Sequence, residues 1–509
     1  NIPEIIMLNE IKRKYNIIKN QNDIVSVIGE YDDPFNQRQA PVEINFKKQG
    51  NMIVFGNAES GKETLLSTMV FDLITTYSVN EVELYLLDFG SESLKIFKQA
   101  PHVGDVVLSN DNEKISRLFE MLQKEMKKRT ELLSNYGGDI KLFVRDTGRK
   151  LPQIFVIINN YEAFAENYGD TYDDMLLTLC REGIKYGIMF VLSASAYNSI
   201  RYRLAQNFRQ KIALQLNNED DYMNIFEGVN RKRPSHIFGR GLIKYSDIYE
   251  FQVARICEPE KWNMFIRDEI IELNNKYTER APSIPVLPKQ IKIEDIVKNI
   301  KGLDKVPLGI YKSNLNLATY DFKNNFVNII SAKSIELSAE FVSHIYEELN
   351  IINGIEIMIF DTEGIIKDVR KNLKLDYQNY SLRIQNNLSK TKHNVCIIIG
   401  IDKFLLGIEN DFEQDLRKAE ELENYSFIIV DSLFKLKNHE YDEWYKNYVS
   451  KDSGIWVGNG INDQYLLHFD SSSKDIINNC GESFGYIIKQ EQASIIKLIG
   501  MKDIGDKNG

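Results

Sequence analysis

Short apolar runs recur along this chain and alternate with longer stretches in which apolar residues return every three or four positions. The runs at 52–55, 82–90, 153–160 and 187–195 have the length and composition of buried strands. Between them the spacing is helical. From Asn112 to Leu133 it places Ile115, Leu118, Leu122, Met126 and Leu133 on one face, with charges elsewhere. Strand-type and helix-type segments in alternation predict parallel sheets covered by helices, an α/β fold. The second run ends in an acid and a glycine, Asp88 and Gly90, and the third in two polar residues, Asn159 and Asn160. That end of a parallel sheet is where such folds carry their chemistry.

Pro282, Pro285 and Pro288 interrupt both periodicities and read as a linker, after which the pattern restarts. The run 325–331 resembles the first strand, 355–361 resembles the strand that ends at Asp88, and 394–400 resembles the one that ends at Asn159. Gly56 to Ser331 is an offset of 275 and Asp88 to Asp361 one of 273, which indicates an internal duplication. From Asn159 to Gly400 the offset is 241, so the second copy is expected to lack about 30 residues between those strands. The expected organisation is a connector over 1–24, a first module over 25–281, a linker over 282–300 and a second module over 301–509.

With 509 residues, 43% hydrophobic and 27% charged, the composition is that of a globular protein with more than one core. Neither a signal peptide nor an apolar run of membrane-spanning length is evident. A net charge of −10 argues against general nucleic-acid binding, so Lys127-Lys128-Arg129 and Arg231-Lys232-Arg233 are read as solvated faces. Cys180, Cys257, Cys396 and Cys480 are scattered among apolar residues and read as reduced core cysteines. The six histidines show no metal spacing, His393 with Cys396 being the nearest approach, and no metal site is expected beyond the Mg²⁺ a nucleotide would bring.

The most informative stretch follows the first strand. Gly56-Asn57-Ala58-Glu59-Ser60-Gly61-Lys62-Glu63-Thr64 has the G-x-x-x-x-G-K form, at a strand-to-helix junction, that lets backbone N–H groups and a lysine surround phosphates. A hydroxyl for Mg²⁺ should follow the lysine, yet Glu63 stands there and Thr64 comes one residue late. Glu63 either supplies a carboxylate to Mg²⁺ or pairs with Lys62 and repels a γ-phosphate. In the second copy, Ser331-Ala332-Lys333-Ser334-Ile335-Glu336-Leu337-Ser338 has neither glycine nor an in-register lysine, and no phosphate loop is expected there.

These features, with Tyr31-Asp32-Asp33-Pro34-Phe35-Asn36-Gln37, Pro101-His102-Val103, the run 200–208, Gly239-Arg240-Gly241-Leu242, Ile284-Pro285-Val286-Leu287-Pro288 and Gly454-Ile455-Trp456-Val457-Gly458-Asn459-Gly460, resemble the FtsK/SpoIIIE family of P-loop motors. Within it they are most similar to the last two ATPase modules of the type VII secretion ATPases of Gram-positive bacteria. The resemblance implies two tandem P-loop NTPase modules of RecA/FtsK type, each a mainly parallel sheet flanked by helices. It also implies a longer parent with membrane helices, working at the cytoplasmic face of the cell membrane. Its implied cofactors are ATP and Mg²⁺ in the first module and none in the second. Implied partners are secreted WXG-type and LXG-type proteins, other modules and subunits of a hexameric motor, and other membrane components of the secretion system.

In a working member of the family the third strand ends in Asp-Glu, one acid for the Mg²⁺-bound water and one for the attacking water. Asn159 and Asn160 stand at those positions, so hydrolysis is expected to be negligible. Glu162, two residues on, is a weak catalytic candidate, and Arg201 and Arg203 are candidates for arginines supplied in trans. The leading expectation is a recognition and regulatory part of a protein-secretion motor. Its rivals are an ATPase that uses Glu63 and Glu162 unconventionally and, further behind, a DNA translocase.

Overall fold

The computed structural model describes residues 2–227, 231–366, 390–472 and 476–503. The chain divides into two compact units, Asn1–Val286 and Leu287–Gly509.

The first unit is built on ten strands: β1 (Val25–Asp33), β2 (Arg38–Asn45), β3 (Met52–Phe55), β4 (Val82–Asp88), β5 (Val103–Leu108), β6 (Gln153–Asn159), β7 (Ile188–Ala194), β8 (Gln210–Ala213), β9 (Arg240–Lys244) and β10 (Ile248–Val253). They form one sheet in the order β2-β1-β10-β9-β8-β3-β7-β6-β4-β5. From β8 to β5 every neighbouring pair is parallel, and β9, β10, β1 and β2 extend the sheet antiparallel. Ile154 to Ile158 on β6 are buried throughout, as a strand covered on both faces requires. One face packs on the helix Lys62–Thr76 through Leu65, Leu66, Met69, Val70 and Leu73. The other packs on the helices Asn112–Leu133 and Tyr161–Glu182 through Ile115, Leu118, Leu122, Leu176 and Leu179, with Met126 half-buried at its margin.

The second unit contains β11 (Val306–Tyr311), β12 (Leu317–Tyr320), β13 (Val327–Ala332), β14 (Ile355–Asp361), β15 (His393–Ile399), β16 (Tyr425–Ser432), β17 (Gly454–Val457), β18 (Phe484–Lys489) and β19 (Gln492–Leu498). Its order, β12-β11-β19-β18-β17-β13-β16-β15-β14, repeats the first sheet strand for strand and stops one strand short. Among the described residues nothing corresponds to β5; residues 367–389, between β14 and β15, are not described.

Strand register corrects the sequence alignment of the two copies by one residue. Asp88 lies opposite Asn159, and Asp361 opposite Ile399. The counterpart of Asn159 is therefore Ile399, and Gly400 is the counterpart of Asn160. Both of the latter take a left-handed backbone, with φ of 62° and 85°, and both start a helix. Propagating the register through β7 and β16 makes Phe55 the counterpart of Ser331 and Gly56 that of Ala332.

Each unit also begins alike. Met7 forms a parallel bridge with Arg255 just beyond β10, and Ile291 does the same with Ile499 just beyond β19. Residues 2–24 pack into the first unit, with Ile2, Ile6, Leu8 and Ile11 buried and the Lys12 ammonium on the Asp72 carboxylate.

Several expectations are revised by packing. Arg129 is not on a solvated face: it is 1% exposed, donates to Tyr186 O at 2.8 Å and pairs with Glu125 at 2.9 Å. None of the four cysteines is in a disulfide, Cys180 and Cys396 lying in the core and Cys257 and Cys480 half-buried. Among the described residues no helix is long and apolar enough to cross a membrane.

One buried charge has a measurable consequence. Glu348, on the helix Ile335–Leu349, is wholly buried, and neither carboxylate oxygen has a hydrogen-bond partner. Burial pushes its pKa from 4.5 up to about 9. The folded state thus favours the protonated acid, and its contribution to stability is full below the unfolded pKa and lost as pH rises toward 9. Glu348→Gln should be more stable than the unaltered protein at pH 8, by about 1–3 kcal/mol. It should also flatten the pH dependence of thermal unfolding between pH 5 and 9. An unchanged pH profile would contradict the assignment.

Candidate nucleotide-binding site

The glycine-rich loop leaves β3 in the middle of the parallel sheet and is suspended between neighbouring strand ends. Gly56 N donates to Ala194 O at 3.0 Å, and Asn57 N donates to Gln215 O at 2.7 Å. A side chain at Gly56 would collide with Ser60 Oγ, which is itself buried without a partner. Gly61 has φ of 103°, and a Cβ there would come within 2.9 Å of Gly239 Cα, so glycine is required on both counts. Glu59, between Ala58 and Ser60, also has positive φ, at 60°. The helix Lys62–Thr76 starts directly after Gly61, and its first amides have no partner four residues back, the usual endowment of an anion-binding helix start.

Lys62 Nζ donates back to Gly56 O and, at 2.7 Å, to Asn57 O, which holds the ammonium over the mouth of the loop. Burial lowers its pKa, while the nearby Glu162 and Glu63 act in the opposite direction. Glu63 does not ion-pair with it. Instead Glu63 Oε1 accepts from Ser91 Oγ at 2.5 Å, Ser91 N at 3.3 Å and Asn159 Nδ2 at 3.3 Å. Thr64, half-buried in the first helical turn, stands outside this network.

Asn159 is the hub. Its Nδ2 also donates to Asp88 Oδ1 at 2.9 Å, and its Oδ1 accepts from Ser193 Oγ at 2.7 Å. Ser193 Oγ in turn accepts from Asn160 N at 2.8 Å, and Asn160 Nδ2 donates to Phe89 O at 3.2 Å. Asp88 accepts further from Gly90 N at 3.1 Å and Leu94 N at 3.0 Å. The ends of β4, β6 and β7 are thus joined to the helix Lys62–Thr76 through one amide group.

This arrangement fits phosphates at the loop but does not fit a cation at the end of β6. A metal between Asp88 and Glu63 would occupy the place of the Asn159 NH₂, and donor hydrogens and a cation exclude each other there. Among the described residues no group of three or more His, Cys, Asp or Glu side chains is placed to hold a metal ion.

Glu162 is engaged elsewhere. Its carboxylate accepts from Ser195 N and, at 2.6 Å, from Ser195 Oγ. Burial alone would raise its pKa, yet the Ser195 hydrogen bonds prevail and hold it below the ordinary value. Its carboxylate is thereby tied to the turn after β7. Arg201 pairs with Asp173 of its own unit at 2.7 Å while remaining 75% exposed, and Arg203 is exposed beside it. In the second unit Lys333 pairs with Asp463 at 3.2 Å, and Ser334 Oγ caps the following helix at Leu337 N. Ile399 and Gly400 leave no polar side chain at the end of β15.

The FtsK/SpoIIIE family profile matches residues 19–237. The type VII secretion system protein EssC of Staphylococcus aureus strain MRSA252 is 27% identical over 317 residues, 60% of this chain and 21% of that protein. The ESX secretion system protein YukB of Bacillus subtilis strain 168 is 25% identical over 299 residues, 57% of this chain and 20% of that protein. The matched region thus spans about a fifth of these relatives' length. Among solved structures, EssC (ATPases 2 and 3) from Geobacillus thermodenitrificans aligns with a TM-score of 0.83 at 17% identity, covering 98% of this chain and 99% of that one. Thermomonospora curvata EccC (ATPases 2 and 3), solved with a signal sequence peptide, aligns with a TM-score of 0.56 at 19% identity, covering 95% and 94%. P-loop ATPase folds in general use nucleotide with Mg²⁺. The first unit therefore carries an FtsK/SpoIIIE domain, and the chain is a homologue of EssC with the fold of two tandem ATPase modules.

Proposed function

We propose that this chain is the substrate-recognising and regulatory part of a type VII protein-secretion ATPase, that its first unit holds nucleotide with little or no hydrolysis, and that its second unit holds none. The observation that carries the reading is the Asn159 amide, lodged between Asp88 and Glu63 where turnover needs a carboxylate and a metal. The loop from Gly56 to Thr64 keeps what phosphate binding needs, its two glycines, its helix start and Lys62. A general base contributes about 10²- to 10⁴-fold to such a reaction, and Asn160 offers none. The clients on this reading are small helical WXG-type and LXG-type proteins, received by the second unit. Its support is indirect: the second sheet repeats the strand order of the first over nine strands while its loop lacks the glycines and the in-register lysine. The parent works at the cytoplasmic face of the membrane among other subunits and membrane components of the same system. The rival ATPase reading through Glu162 is disfavoured by the commitment of that carboxylate to Ser195.

Titration calorimetry with ADP should detect binding to the unaltered chain and at least a tenfold loss in Lys62→Ala, because the lysine supplies the positive charge that faces the phosphates. Equal affinity in both proteins would sink the loop assignment. Asn159→Asp alone sets a third carboxylate against Asp88 and Glu63 and should lower stability by about 1–3 kcal/mol. Adding Glu63→Ser relieves the crowding and should restore most of that loss. No difference between the single and double variants would show that the three side chains do not interact. Truncation that removes residues 287–509 should abolish export of the clients in cells, and unchanged export would end the recognition role.

A further inference from the structure

The loop and Lys62 account for phosphates, and the remaining question is what receives the rest of a nucleotide. Phe238 is an exposed aromatic at the mouth of this loop, 46% accessible, and no other aromatic ring packs on it among the described residues. Its Cε1 would lie 3.7 Å from a Cβ placed on Gly61, so the ring edge borders the start of the helix Lys62–Thr76. The neighbouring Gly239 N donates to Ser60 O at 3.0 Å, which fastens this segment directly to the loop.

The backbone that carries the ring is held in place. Phe238 O accepts from Gln252 Nε2 at 2.9 Å, and Gln252 Oε1 accepts from Arg240 Nε at 2.9 Å, both side chains being buried. Arg240 Nη2 is anchored in turn on Ile2 O at 3.2 Å and Pro3 O at 3.3 Å. The Arg255 guanidinium lies 5.8 Å from the ring centre. An exposed phenylalanine positioned so firmly is an aromatic platform, and a flat π-system is what such a platform receives. Its side of the sheet agrees with this. Asn159 ends β6 and Ser195 follows β7 on one flank of β3, whereas Phe238 precedes β9, beyond β8 on the opposite flank. A nucleotide whose terminal phosphate points toward β6 and β7 directs its base the other way.

We propose that Phe238 stacks on the purine of a nucleoside di- or triphosphate whose phosphates occupy the Gly56 to Thr64 loop. The inference rests on the nucleotide reading above. It assigns Phe238 as the residue that distinguishes a nucleotide from a bare polyphosphate.

The test compares ADP with inorganic tripolyphosphate as calorimetric probes of the full chain. Phe238→Ala should weaken ADP binding about tenfold or more, the effect of one lost stacking contact, and leave tripolyphosphate affinity unchanged. Phe238→Trp should retain ADP affinity, with its fluorescence quenched by ADP and not by tripolyphosphate. Lys62→Ala should weaken both probes. If Lys62→Ala weakens binding while Phe238→Ala leaves ADP unchanged, or weakens both probes equally, the stacking role is overturned and the nucleotide reading survives. If the unaltered chain binds neither probe, the nucleotide reading fails and the stacking role fails with it.

Discussion

The first unit depends on the hydrogen bonds of one side-chain amide. Asn159 Nδ2 faces the Asp88 and Glu63 carboxylates, and Asn159 Oδ1 receives the Ser193 hydroxyl. An amide is the one neutral side-chain group that can donate to two carboxylates with one atom and accept with the other. A carboxylate in its place would face two like charges in a largely buried setting, which requires a cation or proton for relief. The amide removes that requirement. Through hydrogen bonds to Asp88, Glu63 and Ser193 it ties the strand ends to the start of the helix Lys62–Thr76.

Glu63 belongs to the same solution. An acid directly after the loop lysine has that lysine as an obvious partner, and it does not pair with it. It turns to Ser91 and Asn159 across the strand ends and leaves Lys62 on the loop carbonyls. The second unit closes the same region by other means: Lys333 pairs with Asp463, Lys403 with Glu363 and Lys435 with Asp402. Asp402 is the register counterpart of Glu162, since Asn160 corresponds to Gly400 in strand register. Each copy thus has an acid at the second residue of the third-strand helix, and each ties it to the segment that follows the neighbouring strand, Ser195 after β7 and Lys435 after β16. The sheet is repeated while the side chains at its strand ends differ.

Much of the parallel core was legible in the sequence because strands buried on both faces leave unbroken apolar runs. The runs predicted at 82–90, 153–160 and 355–361 correspond to β4, β6 and β14, and the loop stood out because its glycines and lysine have a fixed spacing. The antiparallel extension through β9, β10, β1 and β2 was not legible, since half-buried strands such as Arg38–Asn45 alternate weakly and contain a proline. Register between the copies was off by one residue, because apolar composition does not fix which strand end faces which. Arg129 read as a surface charge for want of any sequence mark of a buried partner, and one of its acceptors is a backbone carbonyl far along the chain, Tyr186 O. Phe238 carries no motif at all. The adjoining Gly239-Arg240-Gly241 was its sequence signal, since Gly239 is the residue that lets the segment approach Gly61.

The central claim is that the first unit retains nucleotide without consuming it. The most direct measurement is the fate of [γ-³²P]ATP in a single-turnover experiment, with the full chain in excess over nucleotide and Mg²⁺ present. The account predicts that the radiolabel remains in ATP for hours at the rate seen without protein. Release of phosphate within seconds to minutes, abolished by Lys62→Ala, would contradict it.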